Sequence, residues 1–219
     1  SVPYAVALVV TIVISAAIRP WFDHKSVSAD PDLWQLFAHA LLLQNIVGEE
    51  SLSAGVWYVS IDFQLFAATV LLLAGVRWLQ QWALKRWGDT AMKRWWPWAV
   101  TGMQGLVVVG TAASLLSFNL DADLDVWAIY FMGAYGVGMM AHWAVAADRR
   151  LTAWSWGMLI AALIIGALVY EWRDRIFLAG VTAMLLIVCM RTEVIARWQG
   201  FAPLRRLGEI SYSVFLIHF

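Results

Sequence analysis

Residues Val56–Val76 read VWYVSIDFQLFAATVLLLAGV, an almost unbroken apolar run that holds one carboxylate, Asp62, and one amide, Gln64. A helix rises ~1.5 Å per residue, so a run of about 20 residues crosses the ~30 Å hydrocarbon core of a bilayer. Further apolar runs lie on either side: Val2–Ile18, Trp96–Phe118, Val126–Ala147, Ala153–Tyr170 and Ile176–Met190, with Ile210–Phe219 opening another. Leu33–Val47 is shorter and carries Gln35, His39, Gln44 and Asn45, the pattern of a re-entrant or interfacial segment. The fold expected is therefore all-α: a polytopic transmembrane helix bundle of about six full spans, a short re-entrant segment and the start of a further helix.

Composition agrees. Of 219 residues, 62% are hydrophobic and only 14% charged, against about 25% charged in soluble globular proteins. Mean hydropathy is +0.71. Fifteen Lys+Arg balance fifteen Asp+Glu. A soluble enzyme, a disordered chain and a generic nucleic-acid binder are excluded, the last because it needs a basic excess. Cys189 is alone and cannot form an internal disulfide.

The charges sort by connection. Arg77–Arg94, Asp148–Leu151 and Arg191–Gly208 are basic, whereas the alternate connections carry Glu49 and Glu50, then Asp121, Asp123 and Asp125, then the mixed Glu171–Arg175. The positive-inside rule places the basic connections in the cytoplasm and runs Val56–Val76 from outside to inside. If Leu33–Val47 re-enters, Arg19–Asp32 lies outside. Most of the fifteen tryptophans fall at the ends of apolar runs, as an aromatic belt does. The glycines of Gly133–Gly138 read as a close helix-packing surface.

An ionisable side chain inside a span is costly and marks a candidate site. Asp62 is the clearest, and helical spacing puts Tyr58, Asp62, Leu65 and Thr69 on one face with Trp57, Ser60 and Gln64 beside it. The alternative is a structural hydrogen-bond cluster that fixes helix packing. His218 shares a helical face with Ser211; a buried imidazole can act as base, acid or oxyanion donor, but a lone helix histidine more often only packs. His39, Gln44 and Asn45 could line a polar cavity or sit at the interface. No phosphate-binding glycine loop, paired-cysteine metal site or Gly-x-Ser-x-Gly elbow occurs, and no metal is expected.

Two stretches resemble the acyltransferase-3 family of membrane proteins. Trp57–Gln64, following Gln44-Asn45, is similar to the family's Trp-Ser-Leu-x-x-Glu-x-Gln signature. Leu207–His218 is similar to its closing signature, Leu-Gly-x-x-Ser-Tyr-Ser-x-Tyr-Leu-x-His. The resemblance implies a single membrane-embedded acyltransferase domain over residues 1–219, truncated at both ends, whose first two helices, with an arginine and a catalytic histidine, lie upstream. A fragment of this kind is expected to be inactive alone. Asp62 takes the place of the family's glutamate, one methylene shorter. Asp62 and His218 are then the catalytic candidates, and Trp57, Tyr58, Gln64, Ser211 and Tyr212 the substrate-binding ones.

The activity implied is O-acyl transfer, acetyl in the first place, from cytosolic acyl-CoA to a hydroxyl of a saccharide or other cell-envelope acceptor. Acyl-CoA (acetyl-CoA) is a co-substrate and no bound cofactor is expected. Membrane lipids and a saccharide or lipid-linked acceptor are the partners, with no nucleic acid. The bacterial inner membrane is the location. Arg86, Arg94, Arg205 and Arg206 could meet CoA phosphates or simply set topology. Rival readings are a transporter or flippase using Asp62 as a proton-coupling carboxylate, the other membrane-bound O-acyltransferase superfamily with His39 as its histidine, and a non-catalytic scaffold.

Overall fold

The computed structural model describes residues 2–21, 30–192 and 202–217. Every regular element among them is helical: α1 (Val2–Ile18), α2 (Leu33–Ala40), α3 (Ala54–Leu116), α4 (Ala128–Ala146), α5 (Arg150–Tyr170), α6 (Asp174–Arg191) and α7 (Ala202–Ile217). The six apolar runs of the sequence all become helices. Gly55–Thr90, Met92–Leu120 and Arg150–Tyr170 are each long and apolar enough to cross a membrane, and Pro3–Ile18 is a shorter apolar helix. The chain is an all-α membrane protein. It gathers into two compact units, residues 1–64 with 199–219, and residues 65–198.

One expectation needs correcting. The basic stretch Arg77–Arg94 is not a loop but helix almost throughout, broken only at Gly88. The reason is composition: Ala, Leu, Gln, Lys, Arg and Trp fill it, and Gly88 is its sole breaker. Gly88 sits at φ 80°, ψ 173°, a region populated essentially by glycine alone. A Cβ there would meet nothing within 4 Å, so the obstacle to substitution is the backbone and not space. Gly88→Ala is expected to destabilise the bend by about 1–3 kcal/mol, seen as faster limited proteolysis around residue 88. Unchanged cleavage would remove the bend's dependence on glycine.

In the larger unit α4 is central. It packs against α5 and α6 through a core of Leu115, Val137, Met140, Ala141, Ile160, Ile164, Ala167, Ile176 and Ala183. The glycine surface foreseen on α4 is real at two positions. A Cβ on Gly136 would collide with the Thr111 side chain, and one on Gly133 would lie 2.7 Å from Leu115. Gly138 faces open space.

The ends of this unit are tied by arginines. Arg173 donates from Nη1 to Asn119 Oδ1 (2.6 Å) and from Nη2 to the Leu115 carbonyl (2.7 Å). Arg175 donates to the Tyr130 hydroxyl and covers its ring, 4.7 Å from the centroid. At the opposite end Arg191 donates from Nη1 to the carbonyls of Ala144 and Ala147, both at 3.0 Å. These are the last carbonyls of α4, which have no partner within their own helix.

In the smaller unit the chain doubles back. Arg19, just past the end of α1, pairs with Asp30 at 2.5 Å, and Tyr4 near its beginning donates to the His39 carbonyl at 2.9 Å. Tyr4 and Arg19 are about 22 Å apart along α1. The segment from Asp30 to His39 therefore returns alongside α1, and the eight-residue α2, about 12 Å long, is too short to span by itself. The following turn is tight, with Leu42 at φ 58° and Gly48 at φ 79°. α3 then begins beside α1, where Tyr4, Ala7 and Val56 form a small core with Leu8, Leu42 and Val59 against it. α7 packs on α1.

Candidate functional site

The site region is the turn between α2 and α3 together with the first turns of α3. His39 is fully buried. The Leu52 N–H donates to its Nε2 (3.2 Å), so the ring proton sits on Nδ1, which is 2.8 Å from the Gln35 carbonyl and donates to it. Both ring nitrogens are thus committed to backbone, and burial depresses the imidazole pKa below its ordinary 6.5. His39 has a structural task, which weighs against the rival reading that took it as the histidine of the other membrane-bound O-acyltransferase superfamily.

The sign of its pH effect follows. The unfolded chain takes up a proton near pH 6.5, whereas folded His39 resists it. The stability owed to neutral His39 is present above that pH and is lost as pH falls below it. Wild type is therefore expected to lose more thermal stability between pH 7.5 and 5.5 than His39→Gln, which keeps an acceptor for the Leu52 N–H. Parallel pH profiles would contradict this.

Gln44 and Asn45 do not line an open cavity. Gln44 is fully buried and its Nε2 donates to the Val56 carbonyl (3.3 Å). Asn45 donates to the Trp57 carbonyl (3.4 Å) and accepts from Ser51 Oγ (2.9 Å). Ser60 Oγ donates to the carbonyl of Leu42 (2.9 Å), holding a residue whose left-handed backbone is uncommon for leucine. Together they staple the turn onto the opening of α3. Polarity alone could not distinguish a staple from a cavity wall; the spacing of Gln44-Asn45 ahead of Trp57 was the available signal.

The staple orients the candidate residues. Val56, Ser60, Ile61 and Leu65 face inward and are buried. Trp57 and Gln64 flank that stripe, half-buried, while Tyr58 and Asp62 lie on the open side. The face expected to join Tyr58, Asp62, Leu65 and Thr69 thus divides: Tyr58 and Asp62 stay together and Leu65 turns into the packed side. The rings of Trp57 and Tyr58 stand 6.4 Å apart. Among the described residues the Asp62 carboxylate makes no hydrogen bond or ion pair, unlike Thr69, whose hydroxyl donates to the Leu65 carbonyl at 2.9 Å.

Of the closing-motif residues, Ser211 is exposed on α7, with Oγ donating to the Gly208 carbonyl at 2.8 Å. Tyr212 lies in the same helix, and His218 falls outside the described residues. Among the described residues no three His, Cys, Asp or Glu side chains gather to hold a metal.

A carboxylate two turns into an apolar helix and on its open face marks a candidate functional site. The acyltransferase-3 family model, that of an acyltransferase domain, matches residues 2–219. The chain belongs to that family and carries its acyltransferase domain. No curated protein and no solved structure matches it.

Proposed function

We propose that the protein is an integral-membrane O-acyltransferase that moves an acyl group, acetyl in the first place, from cytosolic acyl-CoA to a hydroxyl of a saccharide or another cell-envelope acceptor. The observation that carries this reading is the family match over residues 2–219. In the reaction the acceptor oxygen attacks the thioester carbonyl carbon while a base removes its proton. The tetrahedral oxyanion collapses, the C–S bond breaks, and the CoA thiolate leaves with a proton.

Asp62 is assigned to orient the acceptor hydroxyl or the imidazole that acts as base, and His218 to serve the acyl group or the CoA sulfur. Trp57, Tyr58, Gln64, Ser211 and Tyr212 are assigned to substrate binding. The exposure of Tyr58 and Asp62 on the open side of α3 supports this for both. The location assigned is a bacterial inner membrane, on the family resemblance together with the charge asymmetry of the connections, with eleven Lys+Arg in Arg77–Arg94, Asp148–Leu151 and Arg191–Gly208.

The test is transfer of radiolabelled acetyl from acetyl-CoA to the envelope saccharide fraction by membranes containing the intact protein. Label that remains with the thioester, together with proton-coupled solute uptake, would replace this reading with that of a transporter.

A further inference from the structure

Two guanidiniums meet at one residue of the larger unit. Arg173 donates to the Asn119 side chain at 2.6 Å and Arg175 to the Asn119 backbone carbonyl at 3.3 Å. Asn119 itself is buried. These bonds hold the connection at residues 117–127 against the one at residues 171–175. The latter directly follows the span Arg150–Tyr170, and the positive-inside rule puts it outside.

Every acceptor the two arginines reach is neutral: the Asn119 side chain and carbonyl, the carbonyls of Leu115 and Glu171, and the Tyr130 hydroxyl. Glu171, Arg173, Asp174 and Arg175 alternate closely in sign. Yet among the described residues none of the four is in an ion pair. The guanidiniums feel each other: burial lowers the Arg173 pKa, Glu171 partly restores it, and the Arg175 charge lowers it again. Arg175 is exposed, and its Nε and Nη1 make no hydrogen bond among the described residues. Asp174 accepts from the Trp172 indole with one oxygen, at 2.8 Å, and leaves the other open.

The charges narrow the ligand. Five carboxylates stand in the two connections, on Asp121, Asp123, Asp125, Glu171 and Asp174, against the two guanidiniums. A ligand of net negative charge meets repulsion there. A headgroup that carries both a phosphate and an ammonium offers each sign its opposite. Beneath it α6 presents an apolar bed: Leu178, Val181 and Leu185 follow Asp174 at i+4, i+7 and i+11, and all three are exposed. Trp172, 63% exposed, stands at the top of that face with its ring 5.5 Å from Phe177. Charged groups at the end of a span, above an exposed apolar helix face, match an amphiphile held in the bilayer.

We infer that the turn at residues 171–175 binds a zwitterionic phospholipid with a primary ammonium, its phosphate on Arg175 and Arg173, its ammonium on Asp174 and Glu171, and a chain along Leu178, Val181 and Leu185. The inference does not depend on acyl transfer, and its test reads binding alone.

The intact protein is placed in phosphatidylcholine nanodiscs doped with phosphatidylethanolamine that carries a diazirine at the top of one acyl chain. After irradiation the labelled peptides are mapped by mass spectrometry. Labelling within residues 172–185 is expected to saturate as the probe fraction rises, which requires a preference over the phosphatidylcholine matrix. Unlabelled phosphatidylethanolamine should displace the probe better than phosphatidylglycerol does. Arg175→Gln is expected to weaken labelling about tenfold, and Arg175→Lys to retain part of it. Glu171→Gln with Asp174→Asn keeps an acceptor for the Trp172 indole and is expected to abolish the preference for phosphatidylethanolamine over phosphatidylglycerol.

Circular dichroism and melting temperature show that each variant folds. Glu171 and Asp174 are exposed, so the double variant carries the test where Arg175→Gln does not fold. Labelling that rises in proportion to the probe, or that is unchanged in folded Arg175→Gln, overturns the inference. So does a preference that survives loss of both carboxylates. Stronger displacement by phosphatidylglycerol makes the turn a site for anionic lipid and likewise overturns it.

Discussion

Asp62→Asn in the intact protein is expected to lower acyl-CoA-dependent labelling of the acceptor by about 100-fold or more, the scale of losing the proton transfer that Asp62 positions. The exchange is nearly isosteric and removes only the charge. Because Asp62 makes no hydrogen bond or ion pair among the described residues and lies on the open side of α3, the variant leaves no orphaned partner behind. Expression and melting temperature should stay at wild-type values, which separates a functional loss from a folding defect. Asp62→Glu restores the reach of the family's glutamate and is expected to retain labelling. Full activity in Asp62→Asn would remove Asp62 from the reaction and leave it as a tolerated intramembrane acid.

Arg173→Ala is expected to destabilise the larger unit by about 3 kcal/mol, because a buried acceptor left unpaired costs about 1–3 kcal/mol and two are left at once. Those are the side-chain oxygen of buried Asn119 and the Leu115 carbonyl at the end of α3. Arg173→Lys should recover only part of the loss, since one ammonium cannot reproduce the two-pronged geometry of the guanidinium. Thermal unfolding in detergent, followed by tryptophan fluorescence, reads both variants. Wild-type stability in Arg173→Ala would show that water replaces the guanidinium at no cost.

Much of the fold was legible because a bilayer imposes one rule on every span: backbone groups must be satisfied within the segment, so an apolar run of sufficient length becomes a helix. Val56–Val76 and its companion runs obeyed it. Charge density marks Arg77–Arg94 as a connection between spans, although its side chains favour helix. Only Gly88, through its positive φ, breaks the stretch.

In the candidate site, the periodicity of Trp57–Gln64 fixed which side chains neighbour one another along α3. It could not fix which side is packed. That was decided by the turn at Leu42 and by Gln44, Asn45 and Ser60, whose bonds to backbone carbonyls rotate α3 so that Ser60 and Leu65 turn inward while Tyr58 and Asp62 stay open. His39 shows the same division. Its position in a short polar segment is compatible with a cavity wall or the interface, and the two backbone groups that occupy its nitrogens give it a structural task.

By itself, then, the sequence determined that the chain is a bundle of apolar helices, where a carboxylate lies within one of them, and which family signatures it bears, because all three are properties of residues close together along the chain. The tertiary structure alone decided that the segment after α1 returns beside it, that Asp62 lies on the open side of α3, that α3 bends at Gly88, and that Arg173 and Arg175 meet at Asn119. Each of these depends on contacts between residues distant in sequence or on a single backbone angle, neither of which is encoded in local pattern.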